Sequence, residues 1–368
     1  MSAPLSFTSR RDTALDGFRG LMTLLVLGSH YFAEIAGGYP RGAAGFVAVD
    51  GFFVLSGLLV GRLVLEKGAA GNFMAVFYLR RVLRTFPIYF ASLAVALAGE
   101  ALAGLPANPN VPAWSYFAFV NNIFSAFSND TGRPWLSPTW TMAVEEQFYL
   151  VAPALLIFTP RRARLPALGA VIVFAVACRA AFLWAHAPGT ASTLLLCSRA
   201  DCLAIGLACA VLLNGAGDWT KRLWLSPAAV LCAFALGAWF GAPAMMLIGH
   251  TLICGALAVY LMAVAQGAPE RHSLDTPTLR YCGDKSYAIY LLHMPVLWFL
   301  HCGLRGASPS LATLPGLMTT LACIPVTFAA AHLLTRFVEA PITAFGRSFA
   351  WGPPRADRAA SLKPQGAA

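Results

Sequence analysis

Charge is what this sequence has least of. Only 11% of its 368 residues are Asp, Glu, Lys or Arg, against about 25% in an ordinary soluble domain, so there is too little polar surface to cover a water-soluble globule of this size. The nine cysteines, an odd number, include no C-x-x-C pair and no other metal spacing. Scattered mostly through apolar runs, they read as core filling, and no metal site is expected. No basic run interleaved with aromatics offers a platform for nucleic acid. The absence of an internal repeat weakens a transporter built from inverted repeats.

What the sequence does have is hydrocarbon: 58% of its residues are hydrophobic and its mean hydropathy is +0.66. The apolar residues fall in runs of about 20, the length that crosses a bilayer core of about 30 Å. Ten such runs, at 15–36, 46–65, 84–104, 138–158, 166–186, 194–213, 223–241, 244–266, 285–304 and 312–336, predict an all-α polytopic membrane bundle of about ten transmembrane helices. The first run follows Arg10 and Arg11 but is long for a signal peptide, so it is read as an uncleaved helix. With the N-terminus cytoplasmic, most of the 26 basic residues fall on the cytoplasmic side, including Arg80, Arg81, Arg84, Arg161, Arg162 and Arg164. That bias accounts for the net charge of +10 and places both termini inside. One membrane domain over 12–345 and a disordered cytoplasmic tail over 346–368 are expected. The connection 105–137 reads as an interfacial or re-entrant element on the outer face.

Ionisable groups inside such spans are costly, so each is a functional candidate. In "DGFRGLMTLLVLGSH", Arg19 and His30 are eleven residues apart. On a helix they lie within about 20° of one face and about 16 Å apart along the axis. Glu34, one turn on, extends the stripe. In "FYLRRVLRTFPIYF", Arg80 and Arg84 share a face at the cytoplasmic mouth of the third span with Arg81 beside them, a cluster that suits a polyanion because guanidinium forks match phosphate oxygens. In "LSPTWTMAVEEQFYLVAP", Ser137 is a candidate N-cap. Glu145 shares a face with Tyr149 and is expected to point inward.

Other polar residues carry a structural alternative. Asp50 stands at the outer end of the second span. Gly57 and Gly61 form a G-x-x-x-G packing device there, and Ser56 is expected to back-bond to its own helix. Arg199 and Asp201 in "CSRADCLAIG" suit an ion pair as well as a ligand. Ser286, Tyr290 and His293 share a face of the ninth span, where His293 reads as a hydrogen-bonded structural histidine. Arg336 and Glu339 read as an interfacial pair.

In order along the chain, "LDGFRGLMTLLVLGSHY", "GFVAVDGFFVLSGLLVGR", "FYLRRVLRTFPIYF", "PTWTMAVEEQFYLVAP", "RADCLAIGLACA", "YCGDKSYAIYLLHMPVL" and "FVEAP" resemble the acyltransferase family 3 of membrane O-acyltransferases, over about residues 12 to 345. The family's arginine, ten residues, histidine pattern is matched by Arg19 and His30. Its basic R-x-x-x-R stretch is matched by Arg80 and Arg84, and its W-x-x-x-x-E-x-x-F-Y-L segment by Trp140, Glu145, Phe148, Tyr149 and Leu150. Gly51 and Lys285 depart from the usual residues without touching these positions. Many relatives carry an appended periplasmic hydrolase-like domain, and no stretch of this sequence is long enough to form one.

The resemblance implies a bacterial inner-membrane enzyme that moves an acyl group, commonly acetyl, from cytoplasmic acyl-CoA to a hydroxyl of an extracytoplasmic glycan or lipid-linked sugar. Acyl-CoA is then a donor substrate, with no tightly bound cofactor. Arg19, Arg80 and Arg84 would hold its phosphates, and His30 would act as general base. Glu145 would assist His30 or grip the acceptor. Asp50, Trp140, Tyr149, Arg199 and Asp201 would face the acceptor. An acyl-histidine intermediate and assembly into a homo-oligomer both stay open. The alternatives are a secondary transporter or flippase for a glycan or organic anion, and a membrane acyltransferase of another architecture using a lipid donor.

Overall fold

The computed structural model describes residues 12–35, 43–215 and 217–355, and among them the chain is helical, with a lone β-bridge between Ala70 and Pro354. The long helices are α1 (Thr13–Gly28), α2 (Ala43–Lys67), α3 (Phe73–Leu102), α4 (Trp140–Phe158), α5 (Arg161–Trp184), α6 (Leu196–Leu213), α7 (Leu225–Phe240), α8 (His250–Ala265), α9 (Ser286–Arg305) and α10 (Leu314–Leu334). A shorter α11 (Ala340–Ser348) follows.

Among the described residues, nine helical stretches are long and apolar enough to cross a membrane. The protein is therefore an all-α polytopic membrane bundle. The first expected span is not one of the nine. Asp16, Arg19 and His30 lower its hydropathy, and α1 packs inside the bundle against α2, α9 and the short helix Pro277–Asp284. The Asp12 side chain caps α1 by accepting from the Ala14 N–H at 3.2 Å, and α1 runs on through a π-helical turn, Ser29–Glu34. The outward-facing apolar surface lies instead on α5 and α7, where Phe174, Trp184, Phe234 and Trp239 are exposed.

Close backbone approach sets the inner crossings. A Cβ on Gly57 would lie 2.2 Å from the Leu203 carbonyl oxygen, and one on Gly206 would lie 2.2 Å from that of Val54. The α2–α6 contact is thus backbone on backbone, as the G-x-x-x-G pattern predicts. Gly20 meets the Leu279 oxygen and Gly283 the Asp16 oxygen in the same way, which brings Arg19 beside the start of α9.

Several local expectations are corrected. Ser137 does not cap α4: its hydroxyl donates to the Pro134 carbonyl within a 3₁₀ turn, Pro134–Thr139. The first residues of the expected tail, 346–355, make defined contacts. Trp351 stacks on Phe73 with ring centroids 5.4 Å apart, and Gly71 N–H donates to the Pro353 carbonyl while Arg355 N–H donates to that of Ala69. Apolar contact and paired backbone hold this strap on the α2–α3 turn; residues 356–368 lie outside the described residues. Cys202 and Cys254 form a disulfide between α6 and α8, so these two are not mere filling. In the 105–137 connection, the short helix Ala113–Phe117 brings Tyr116 over Arg133, which pairs with the buried Glu100 at 2.5 Å, and a second short helix, Asn121–Ser128, packs on α4.

Candidate active site

The basic residues of α1 and α3 meet α9 and α11 at one end of the bundle. A cleft of about 460 Å³ lies there, lined by Arg19, Arg80, Arg81 and Arg84 with Glu339 and Trp351. A second cavity, of about 370 Å³, continues from it into the bundle. The two share Arg19, Arg81 and Arg84, and the inner one is also lined by Ser56, Thr141, Glu145, Tyr149 and Tyr290. Cationic at its mouth and walled inside by hydroxyls, rings and one carboxylate, this passage has the mixed lining of a ligand site.

Each arginine is held differently. Arg19 pairs with Asp16 at 3.0 Å. Arg80 donates to the carbonyls of Phe349 at 2.6 Å and Arg347 at 3.2 Å and lies over the Trp351 ring. Arg81 lies 3.7 Å over the centre of the Tyr149 ring, a cation–π contact. The sequence placed Arg81 in the basic cluster without naming it among the phosphate ligands, and it lines both cavities. Among the described residues Arg81 and Arg84 form no ion pair with a carboxylate, which leaves their forks for a ligand. Glu339 turns into the cleft, whereas Arg336 lies over Phe337, so those two are not the pair expected.

Deeper in, Ser56 donates to Glu145 Oε1 at 2.7 Å and the Tyr149 hydroxyl donates to Oε2 at 3.2 Å. Ser56 thus reaches across to α4 instead of back-bonding. The one-turn spacing of Glu145 and Tyr149 holds as expected. Thr141 and Tyr290 close the inner end, their hydroxyls 2.8 Å apart.

His30 lines neither of these cavities. Its Nδ1 lies 2.9 Å from Nε2 of the buried His293 on α9, and its Nε2 lies 3.4 Å from Glu34. Two ring contacts lead from the cavity to it: Tyr290 to His293 at 5.7 Å between centroids, then His293 to His30 at 4.9 Å. Arg19 shares the cleft with Ser286 and Tyr287 of α9, and His30 meets His293 of the same helix. Both ends of the α1 stripe therefore address one neighbouring helix, as their common face requires.

Three residues expected at the acceptor site are occupied elsewhere. The Arg199 guanidinium bonds Asp50, whose other oxygen is 2.9 Å from His250 Nδ1, and Asp201 pairs with Arg179 at 2.9 Å and accepts from Thr251. All of Asp50, Arg199, Asp201 and Arg179 are fully buried and line neither cavity, so these charges compensate one another between α2, α5, α6 and α8. They join helices to one another and do not line the cavities. Trp140 packs edge-on at 6.1 Å against Phe53, which lines the inner cavity, but Trp140 itself lines neither cavity.

A family model described as an acyltransferase domain matches residues 12–336. The peptidoglycan O-acetyltransferase OatA of Listeria monocytogenes is 27% identical over 93% of this chain and 57% of its own length. The O-acetyltransferase OatA of Staphylococcus aureus is 27% identical over 42% of this chain and 26% of its own. The chain thus spans little more than half of the first relative and about a quarter of the second is aligned. No solved structure matches it. With its bundle of apolar helices, its arginine cleft and that match along most of its length, the chain belongs to the acyltransferase 3 family.

Proposed function

We propose that this protein is a membrane O-acetyltransferase that takes an acyl group from acyl-CoA on the cytoplasmic side and passes it to a hydroxyl of an extracytoplasmic glycan or lipid-linked sugar. The observation that carries this is the three-arginine mouth shared by two connected cavities, with a paired histidine beyond their inner end. Coenzyme A is a polyanion on a thin arm. Its phosphates would rest on Arg19, Arg81 and Arg84, with Arg80 holding the cleft wall, and its arm would fill the inner cavity.

At the thioester, the acceptor oxygen attacks the carbonyl carbon and its proton passes to His30. The carbon–sulfur bond breaks, and the thiolate collects that proton to leave as the free thiol. A positioned base typically supplies about 10²–10⁴-fold of the rate. Tyr290 and His293 stand between the cavity and His30, so the thioester must pass the Tyr290 ring while the His293–His30 bond stays made.

The test is acetyl-CoA turnover by the purified protein in detergent. We expect His30→Ala to abolish transfer to an acceptor sugar. Unchanged turnover in that variant, or anion uptake into vesicles with no thioester cleavage, would favour a transporter or flippase instead. A second enzymatic route is suggested by Ser56, which donates to the Glu145 carboxylate inside the cavity and is placed as a nucleophile beside a base. An intact-mass increase of one acetyl group, lost in Ser56→Ala, would favour that two-step path.

A further inference from the structure

We infer that His293 fixes the tautomer of His30 and thereby makes Nε2 of His30 the nitrogen that receives the acceptor's proton. This rests on the acyltransferase reading above and adds to it a positioning residue and a direction of approach.

The hydrogens on the two rings can be counted. His293 Nδ1 lies 2.7 Å from the backbone carbonyl oxygen of Tyr290. A carbonyl oxygen can only accept, so the hydrogen of that bond belongs to Nδ1. A neutral imidazole carries one N–H, so the other nitrogen of His293, Nε2, holds a lone pair. That lone pair faces His30 Nδ1 at 2.9 Å, and the hydrogen between the rings must therefore be on His30. His30 has then spent its single hydrogen, and its Nε2 is the free base.

The surroundings hold this chain of bonds in place. His293 is 1% exposed, so water does not compete for its nitrogens. The Tyr31 hydroxyl, beside His30 in sequence, donates to the His293 carbonyl at 2.9 Å and pairs with Thr327 at 2.8 Å. That ties the π-helical turn of His30 to α9. On the open side, His30 Nε2 faces Glu34 Oε1 at 3.4 Å, and Glu34 is half exposed. An ionised carboxylate has no hydrogen to give and leaves the lone pair unspent. Once Nε2 takes the hydroxyl proton, the imidazolium donates Nε2–H to Glu34 and Nδ1–H to His293, so both hydrogens find acceptors. The acceptor must therefore arrive from the Glu34 side of the ring. His293, which the sequence presents as a structural histidine, serves here as the orienting partner of a base.

The experiment is nitrogen NMR of ¹⁵N-histidine-labelled protein, with the two rings assigned by difference using His30→Ala and His293→Ala. In the wild-type protein His30 and His293 should each show a protonated Nδ1 and an unprotonated Nε2. In His293→Ala, His30 should become a mixture of tautomers, and kcat should fall by about 10²-fold with the KM for acetyl-CoA unchanged. His293→Gln, whose amide oxygen falls near the position of the lost Nε2, should restore the His30 tautomer and part of kcat, an outcome that mere packing would not produce. A wild-type His30 protonated at Nε2, or a His30 spectrum unmoved by His293→Ala, overturns the role of His293. Should His293→Ala not fold, the wild-type and His293→Gln spectra decide. An active His30→Ala variant is a different failure: it overturns the choice of base and leaves the tautomer measurement standing.

Discussion

Arg80 and Arg84 sit one turn apart on α3 and line the same cleft, yet they are not equivalent residues. Arg80 gives its Nη2 to the carbonyls of Arg347 and Phe349, while Arg84 reaches both cavities. A charge-assisted contact is worth about 1.5–3 kcal/mol, so Arg84→Ala should raise the KM for acetyl-CoA about 10–100-fold with little change in thermal stability. Arg80→Ala should lower stability as well, because it also releases the strap. Steady-state kinetics beside a thermal unfolding scan in detergent separates them; a stability loss in Arg84→Ala equal to that in Arg80→Ala would contradict the division. The shared face was legible in the sequence because one helix fixes it. The role of Arg81 was not, since it depends on Tyr149, contributed by another helix. Asp50, Arg199 and Asp201 looked functional for the same reason: a buried charge is costly alone, and their partners Arg179 and His250 are brought to them only by folding. Outside the membrane, Asp130 offers a pH test. Burial raises its pKa, but hydrogen bonds from Asn110, Asn108 and the Gly132 N–H outweigh that and hold it below the ordinary carboxylate range. A depressed folded value gives stability that is present above the unfolded pKa of about 3.9 and is lost as pH falls through the folded value. Asp130→Asn should therefore be less stable than wild type at pH 7, with the gap closing as the scan is repeated toward pH 3; a gap independent of pH would exclude the carboxylate as its source.

At the scale of elements, the crossings that position the site are the ones with no room to spare. At Gly57 a methyl group would sit 2.2 Å from a backbone oxygen, which no side-chain rotation relieves. Gly57→Ala should push α2 from α6, at about 1–3 kcal/mol, and disturb Ser56 next to it. The expected result is a lowered unfolding temperature together with weaker turnover, and an unaltered unfolding temperature would mean the helices are not in this contact. The G-x-x-x-G spacing announced that a helix would come close, though not which one. The strap over 349–355 was hidden by its composition, because Pro, Gly and Arg read as loop. It is held by Trp351 stacked between Phe73 and the Arg80 guanidinium, a contact that needs the α2–α3 turn already built. Since Trp351 and Arg347 also line the cleft, ending the chain after residue 345 should raise the KM for acetyl-CoA about tenfold, the low end of losing a charged wall. Ending it after residue 355 should leave the KM unchanged. If the two truncations behave alike, the strap takes no part in donor binding.

Across the whole molecule, the two ends differ in kind. That the chain is a bundle of many apolar helices was readable from hydropathy alone, whereas its first expected span is missing from the nine that are long and apolar enough. The passage between the ends was not readable, because it is the space left when α1, α2, α3, α4 and α9 meet. Both described ends of the chain lie at the basic end: Asp12 pairs with Arg271 at 2.9 Å, and Arg355 bonds the turn before α3. If the positive-inside rule sets the orientation, that end faces the cytoplasm, and the cleft is open to a donor that cannot itself cross a membrane. The consequence can be measured without knowing the acceptor. In sealed inverted vesicles, acetyl-CoA added to the medium meets the arginine cleft and should be consumed. In right-side-out vesicles the same addition meets the end bearing Glu34, and the intact bilayer withholds the donor from the arginines. Consumption there should stay at the level of a His30→Ala control until the vesicles are permeabilised. Equal consumption in both preparations would mean either that the cleft faces outward in half of the molecules or that the arginines do not receive the donor. A fluorescent reporter fused at the C-terminus, which folds only in the cytoplasm, separates those two cases. Full fluorescence with equal consumption would remove the arginine cleft from the donor path.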